Sequence, residues 1–148
     1  MKFIIIDTNT WNSVFSSSSS DHRDFKSVQE GIISGRLTLA WGGSIYRSEL
    51  QRCLKYLKLH NELTKGSRAK QFPDNAIDAR TSLVKSIETD PDFDDAHIIA
   101  LQVVSKASII CTKDIRAHKF IKKVCLYPKR HKRPSIYSSF AHSNLLEG

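Results

Sequence analysis

Four acidic side chains, Asp7, Glu49, Asp95 and Asp114, stand where their chemistry could be shared. Asp7 directly follows the apolar run F-I-I-I, and Asp114 comes soon after the apolar run I-I-C. Asp95 opens a third apolar segment, and Glu49 interrupts the apolar stripe of a predicted helix. Carboxylates that converge without cations repel one another unless a divalent metal neutralises them, and oxygen ligands suit Mg²⁺ or Mn²⁺. The residue types therefore predict a Mg²⁺ or Mn²⁺ site.

Each of these acids also has a purely structural interpretation when it is taken alone. Asp7 could cap a turn, and Asp95 and Asp114 could each cap the amino end of a helix. Glu49 would be an exposed helix residue if the helical phase were shifted by one position. Taken together, the four acids favour a shared site, because they fall in suitable elements and in a suitable order.

The elements that must position the acids alternate between strands and helices. Short apolar runs predict strands at Lys2–Ile6, Arg36–Trp41, Ala107–Thr112 and Lys123–Tyr127. Apolar spacings of three and four predict helices at Asp21–Ser34, Ile45–His60, Glu62–Gln71, Pro73–Ile87, Phe93–Lys106 and Lys113–Ile121. This alternation predicts an α/β fold with a parallel sheet. Ligands bind beyond the carboxyl ends of such strands, so we expect Asp7 and Asp114 to face one crevice.

The net charge of +8 is concentrated near the carboxyl end of the chain. Between Lys113 and Arg133 there are nine Lys or Arg residues and a single acid, so this window alone carries +8 and the remainder is neutral. A localised basic region favours contact with a polyanion, and nucleic acid is the usual cytosolic polyanion. A solvated charge run is the alternative. We expect nucleic-acid phosphates to contact Arg116, Lys129, Arg130, Lys132 and Arg133.

The composition predicts one globular domain followed by a tail. The 148 residues and 40% hydrophobic content suit a single core. We place the domain at residues 1–127 and a basic, extended or loosely ordered tail at residues 128–148. The longest apolar run, Phe3–Ile6, is far shorter than the roughly 20 residues of a membrane span, which predicts a cytoplasmic protein with no membrane partner. The three cysteines match no zinc or disulfide pattern.

Four motifs that carry the acids resemble those of the PIN domain family. They are I-I-I-D-T-N at residues 4–9, S-E-L at 48–50, D-D-A-H-I-I-A-L at 94–101 and I-I-C-T-K-D at 109–114. The family includes the toxin ribonucleases of bacterial VapBC-type toxin–antitoxin pairs. The resemblance implies a three-layer α/β/α sandwich around a parallel sheet of about four to five strands, and Mg²⁺- or Mn²⁺-dependent hydrolysis of RNA. It also implies that Asp7, Glu49, Asp95 and Asp114 bind the metal, with Asn9 and Thr112 as polar support.

Two features depart from the family pattern. Many members carry a second acid or Asn soon after the last motif, where this chain has Arg116. The segment from Pro128 onward matches no part of the family, which leaves the RNA substrate open. A small antitoxin protein and a second copy of this chain are the possible protein partners that the sequence leaves open.

The leading hypothesis is a metal-dependent endoribonuclease, which could be the toxin of a toxin–antitoxin pair. One alternative is an RNA-binding module that kept the fold but lost its metal, and Arg116 favours it. The other is a haloacid-dehalogenase-like phosphatase, since that chemistry also begins with an Asp after a first strand. It requires a second Asp two residues later, however, and this chain has Asn9 there.

Overall fold

A computed structural model describes residues 1–147 of the chain. Five parallel strands form one sheet in the order β3-β2-β1-β4-β5. They are β1 (Phe3–Ile6), β2 (Thr38–Gly42), β3 (Ala69–Phe72), β4 (Ile109–Cys111) and β5 (Ser135–Tyr137). The chain therefore has the predicted α/β class, with β1 at the centre of the sheet.

Within the described residues, seven α-helices connect and cover the strands. They are α1 (Trp11–Phe15), α2 (His22–Ser34), α3 (Ser44–Gln51), α4 (Leu54–Lys65), α5 (Asp74–Ile87), α6 (Ala96–Ser105) and α7 (Ile115–Ile121). Right-handed crossovers between parallel strands place α2 and α4 on one face of the sheet and α5, α6 and α7 on the other. The predicted three-layer α/β/α sandwich is confirmed.

The central strand is buried on both faces, as its sequence predicts. Ile4, Ile5 and Ile6 are fully buried, and their backbone pairs with β2 on one side and β4 on the other. β-Branched side chains suit a strand that is covered on both faces. Because β1 ends at Ile6, Asp7 is placed at the carboxyl edge of the sheet, beside the end of β4.

An aromatic cluster fixes the first helices against this edge. The Tyr46 hydroxyl donates to the Ile6 carbonyl oxygen at 2.7 Å and accepts from Trp11 Nε1 at 3.0 Å. His60, which is fully buried, packs edge-on against Trp11 and Trp41, and burial lowers its pKa to about 4. Tyr46 therefore ties α3 to the residue that precedes Asp7.

Three elements predicted from the sequence were wrong. The predicted helix Ile45–His60 is interrupted at Arg52 and Cys53, so that α3 and α4 are separate helices. Part of the predicted helix Glu62–Gln71 is strand β3, of whose four residues two are exposed. The predicted strand Lys123–Tyr127 is a 3₁₀ helix at Val124–Leu126. In each case the apolar pattern was too short or too mixed to distinguish the two states.

The segment after Pro128 was expected to be extended or loosely ordered, and this was wrong for much of it. Residues 135–137 form β5, which pairs with β4, and a 3₁₀ helix spans Phe140–Leu146. Tyr137 is fully buried, and its hydroxyl donates to the Asp24 carbonyl oxygen at 2.6 Å. The sheet thus continues past residue 127. Within residues 1–147, no helix has both the length and the apolar content that crossing a lipid bilayer requires.

Candidate active site

Asp7 and Asp114 are joined by a threonine at the carboxyl ends of β1 and β4. Thr112 Oγ1 donates to Asp7 Oδ2 at 3.0 Å and accepts from the backbone N–H of Asp114 at 3.2 Å. Asp7 is only 4% exposed, and this burial raises its pKa although Thr112 opposes the shift. Asp114 caps α7, because its Oδ1 accepts from the backbone N–H of Arg116 at 3.1 Å. Two acids that are 107 positions apart in sequence thus share one hydrogen-bond network.

Glu49 is held from two sides on α3. Its Oε2 accepts from Thr8 Oγ1 at 2.8 Å, and its Oε1 lies 2.9 Å from His97 Nε2. Burial alone would raise the pKa of Glu49, but the contacts from His97 and Thr8 together outweigh it and lower the pKa. Thr8 directly follows Asp7 in the chain. The contacts with Thr8 and His97 therefore hold Glu49 at the same edge of the sheet as Asp7.

The turn before α3 explains how Glu49 reaches this position. Gly43 adopts a φ of 90°, a left-handed conformation that glycine tolerates best. Its backbone N–H donates to Asp74 Oδ1 at 2.9 Å, and the next N–H, of Ser44, donates to Asp78 Oδ1 at 2.9 Å. Two acids of α5 thus satisfy free N–H groups at the start of α3, as the amino end of a helix requires.

Asp95 completes the group from the amino end of α6. It occupies the N-cap position of this helix. Partial burial, and after it the charges of Asp7, Asp94 and Asp114, together raise the pKa of Asp95 to about 7, although His97 opposes the shift. These couplings show that the carboxylates lie near enough to repel one another. The edge of the sheet therefore carries an excess of negative charge.

The chemistry of these side chains fits a hard divalent cation. Oxygen atoms of several carboxylates are the ligands that Mg²⁺ and Mn²⁺ prefer, and mutual repulsion among carboxylates is relieved by a cation. Within residues 1–147, however, no three His, Cys, Asp or Glu side chains already converge as a metal-binding group. The acids thus surround a common edge without forming a finished ligand shell, and Glu49 is engaged by His97.

The other predicted site residues are divided between the two edges of the sheet. Arg116 lies at the acidic edge, with its Nε 3.6 Å from Asp114 Oδ1. Asn9 is exposed, and its Oδ1 accepts from Thr10 Oγ1 at 2.7 Å. The remaining basic residues precede β5. They therefore lie at the amino edge of the sheet, where the parallel strands begin, which is opposite to the carboxyl edge that carries the acids. They are Lys129, Arg130, Lys132 and Arg133.

Thr8 and His97 belong to the site but were not predicted to. His97 is 8% exposed and lies in the first turn of α6. A signal was present, because His97 lies two positions after Asp95 in the motif D-D-A-H. Beside it, a cavity of about 440 Å³ is lined by Glu49, Arg52, Asp94 and His97 among others. This opening gives a ligand access to the Glu49 side of the edge.

Comparison with known proteins agrees with this arrangement. The PIN domain family matches residues 3–116, which include all four acids and β1 to β4. No curated protein and no solved structure matches the chain. The match covers more than half of the 148 residues, and the fold and its acidic edge are those expected of the family. The chain belongs to the PIN domain family.

Proposed function

We propose that this protein is a metal-dependent endoribonuclease that hydrolyses RNA phosphodiester bonds. The PIN domain is a nuclease-type fold, and its members usually use divalent metals. The observation that carries the proposal is the group of acids at one edge, where partial burial and the charges of neighbouring carboxylates together raise the pKa of Asp95 to about 7. A structural protein gains nothing from placing repelling charges together, whereas a metal-dependent enzyme requires them. The family match also favours a nuclease over the phosphatase alternative.

In this proposal Asp7, Glu49, Asp95 and Asp114 would hold Mg²⁺ or Mn²⁺. The bound ion would supply Lewis-acid chemistry and offset the charge of the scissile phosphate. Thr112 fixes the Asp7 carboxylate through its 3.0 Å hydrogen bond, so that Asp7 presents a constant orientation. Thr8 and His97 do the same for Glu49. Side chains that contact a metal-binding carboxylate orient it and so increase its affinity for the metal.

The test is cleavage of a single-stranded RNA by the purified chain. We expect cleavage with Mn²⁺ or Mg²⁺ and none in chelator, with products that carry a 5′-phosphate and a 3′-hydroxyl. Those ends follow from attack of water on phosphorus with the 3′ oxygen as the leaving group. Equal cleavage in chelator, or products with a 2′,3′-cyclic phosphate, would mean that the carboxylates do not act as proposed.

A second candidate is a PIN-like module that binds RNA without cutting it. Two contacts favour it: Arg116 lies beside Asp114, and His97 lies beside Glu49, so that two of the four acids already contact a basic side chain. This candidate predicts RNA binding that is unchanged by Mn²⁺ and an absence of products. The cleavage test therefore separates the two candidates directly.

The resemblance to VapBC-type toxins extends the proposal to a toxin role in bacteria. Induced expression of the chain would then arrest growth, and expression of a variant with Asp7 replaced would not. Binding of a small antitoxin protein would be the corresponding partner. Growth that is unaffected by an active ribonuclease would separate the enzyme from the toxin role.

A further inference from the structure

Six exposed cationic side chains lie along a route from the acidic edge to the opposite edge of the sheet. We call them the basic track, and they are Arg116, Lys119, Lys122, Lys106, Lys132 and Arg133. We propose that this track binds the phosphate backbone of single-stranded RNA whose scissile bond lies at the acidic edge, and so selects for RNA long enough to reach both edges. The inference deepens the proposed ribonuclease function and rests on it.

Helix α7 supplies the first half of the route. It begins next to Asp114, which caps it, and ends before Lys122. Arg116, Lys119 and the C-cap residue Lys122 are spaced by three, so that each neighbours the next on the helix surface. At 1.5 Å per residue, the eight positions from Asp114 to Lys122 span roughly 12 Å. The cationic side chains of this helix thus extend from the acids toward the amino edge of the sheet.

The second half of the route is a groove at the amino edge, next to β5. Two adjoining cavities of about 440 Å³ and about 620 Å³ share His131, Lys132 and Arg133. Lys106 borders the first cavity and Lys122 the second. The groove is therefore continuous with the end of α7, and Arg133 Nη1 contacts the Lys122 carbonyl oxygen.

The loop that carries the groove is held in place by buried contacts. His131 shares a 2.8 Å hydrogen bond with Oε1 of Gln102, which is 1% exposed, and its ring stacks on Tyr127 with an interplanar angle of 8°. Gln102 Nε2 also donates to the carbonyl oxygens of Ala107 at 2.9 Å and Lys132 at 3.4 Å. A solvated charge run needs no such anchoring. A binding surface benefits from it, because less conformational entropy is lost when the ligand binds.

The charge and composition of the groove favour a phosphate backbone over a protein segment. Burial lowers the pKa of His131, and the nearby charges of Arg80 and Lys106 lower it further, which shows how cationic the surroundings are. The groove lining is basic and polar, with Ala107 and Pro134 as its apolar residues. Protein interfaces depend on larger apolar anchors, whereas contacts from Lys and Arg to phosphates are the main source of affinity for nucleic acid.

The test compares two double variants that remove the same charge. The track variant is Lys122→Gln with Lys132→Gln, and the control variant is Lys65→Gln with Lys70→Gln. Lys65 and Lys70 are equally exposed but belong to the end of α4 and to β3, at the other side of the sheet. Binding of fluorescent single-stranded RNAs of about 4 and about 16 nucleotides is measured in chelator, so that cleavage cannot interfere.

We expect the track variant to bind the longer RNA roughly 10- to 30-fold more weakly at 0.1 M salt, with the slope of log K against log salt reduced by about 1.4. Binding of the short RNA and both affinities of the control variant should stay unchanged. Equal losses in the two variants, or unchanged binding of the longer RNA by the track variant, would each overturn the proposed role of the basic track. RNA cleavage by wild type with Mn²⁺ is scored separately, so failure of the track is distinguishable from failure of the ribonuclease proposal.

Discussion

Replacing Asp7 by asparagine is expected to lower RNA cleavage by at least about 100-fold, since even outer contacts to a metal ligand are worth 10- to 100-fold. The same change should leave the metal-free protein as stable as wild type or more stable at pH 8. Burial raises the pKa of Asp7, so the folded state holds its proton more tightly than the unfolded chain does. The contribution of Asp7 to the free energy of unfolding is therefore present at low pH, and it is lost as the pH rises through the pKa that Asp7 has in the folded protein. Asparagine is uncharged at every pH, so this loss of stability does not occur, and its side-chain oxygen can still accept the hydrogen bond from Thr112.

Thermal unfolding in chelator and in excess Mn²⁺ measures both parts of this expectation. An ion that binds only the folded state at 100 times its Kd stabilises it by about 2.7 kcal/mol, and Asp7→Asn should lose most of that gain. The variant should also lower the pKa of Asp95 from about 7, because Asp7 contributes to that shift. A variant that melts well below wild type in chelator would assign Asp7 to the structure of the fold and not to its chemistry.

Tyr137→Ala is expected to destabilise the protein by about 3–5 kcal/mol, as removal of a large buried aromatic side chain does. Tyr137 lies in β5, is fully buried, and packs edge-on against Phe25 at a centroid distance of 5.8 Å. Because native domains are stable by only about 5–15 kcal/mol, this loss is a large share of the total. A chain that ends at residue 127 lacks β5 altogether and should not fold stably. Urea unfolding followed by circular dichroism measures the loss.

Tyr137→Phe is the matched control for this prediction. It keeps the ring and removes only the hydroxyl that donates to the Asp24 carbonyl oxygen. A loss of about 1 kcal/mol is expected, the usual net value of one hydrogen bond. If Tyr137→Ala costs no more than Tyr137→Phe, or if the chain of residues 1–127 melts like the full chain, then the carboxyl segment is an appendage and not part of the sheet.

The sequence was sufficient to predict the strands that are buried on both faces. β1 and β4 consist of uninterrupted β-branched or apolar residues, a pattern typical of a strand that is covered on both faces. Since both strands are parallel, the acids that follow them had to meet at one edge. The position of Asp7 beside Thr112 and Asp114 is thus a direct consequence of local pattern and topology.

The edge strands could not be predicted in the same way. β3 contains Lys70 and Gln71, both exposed, and β5 is three residues long and follows a basic loop. Their strand conformation comes from hydrogen bonds to β2 and β4, which are properties of the assembled sheet. The pairing of His97 with Glu49 was hidden for a related reason. The two residues are 48 positions apart, and helices α3 and α6 bring them together only in the folded chain.

The most direct measurement for the central claim is the position of Mn²⁺ in crystals soaked with that ion, located by its anomalous scattering. The account predicts an ion in direct contact with carboxylate oxygens of Asp7 and Asp95, at the carboxyl edge of the sheet. Glu49 or Asp114 would complete the set of ligands around the ion, because the charges of the four acids influence one another. Crystals that take up Mn²⁺ elsewhere, or that leave these carboxylates without an ion in excess Mn²⁺, would contradict it.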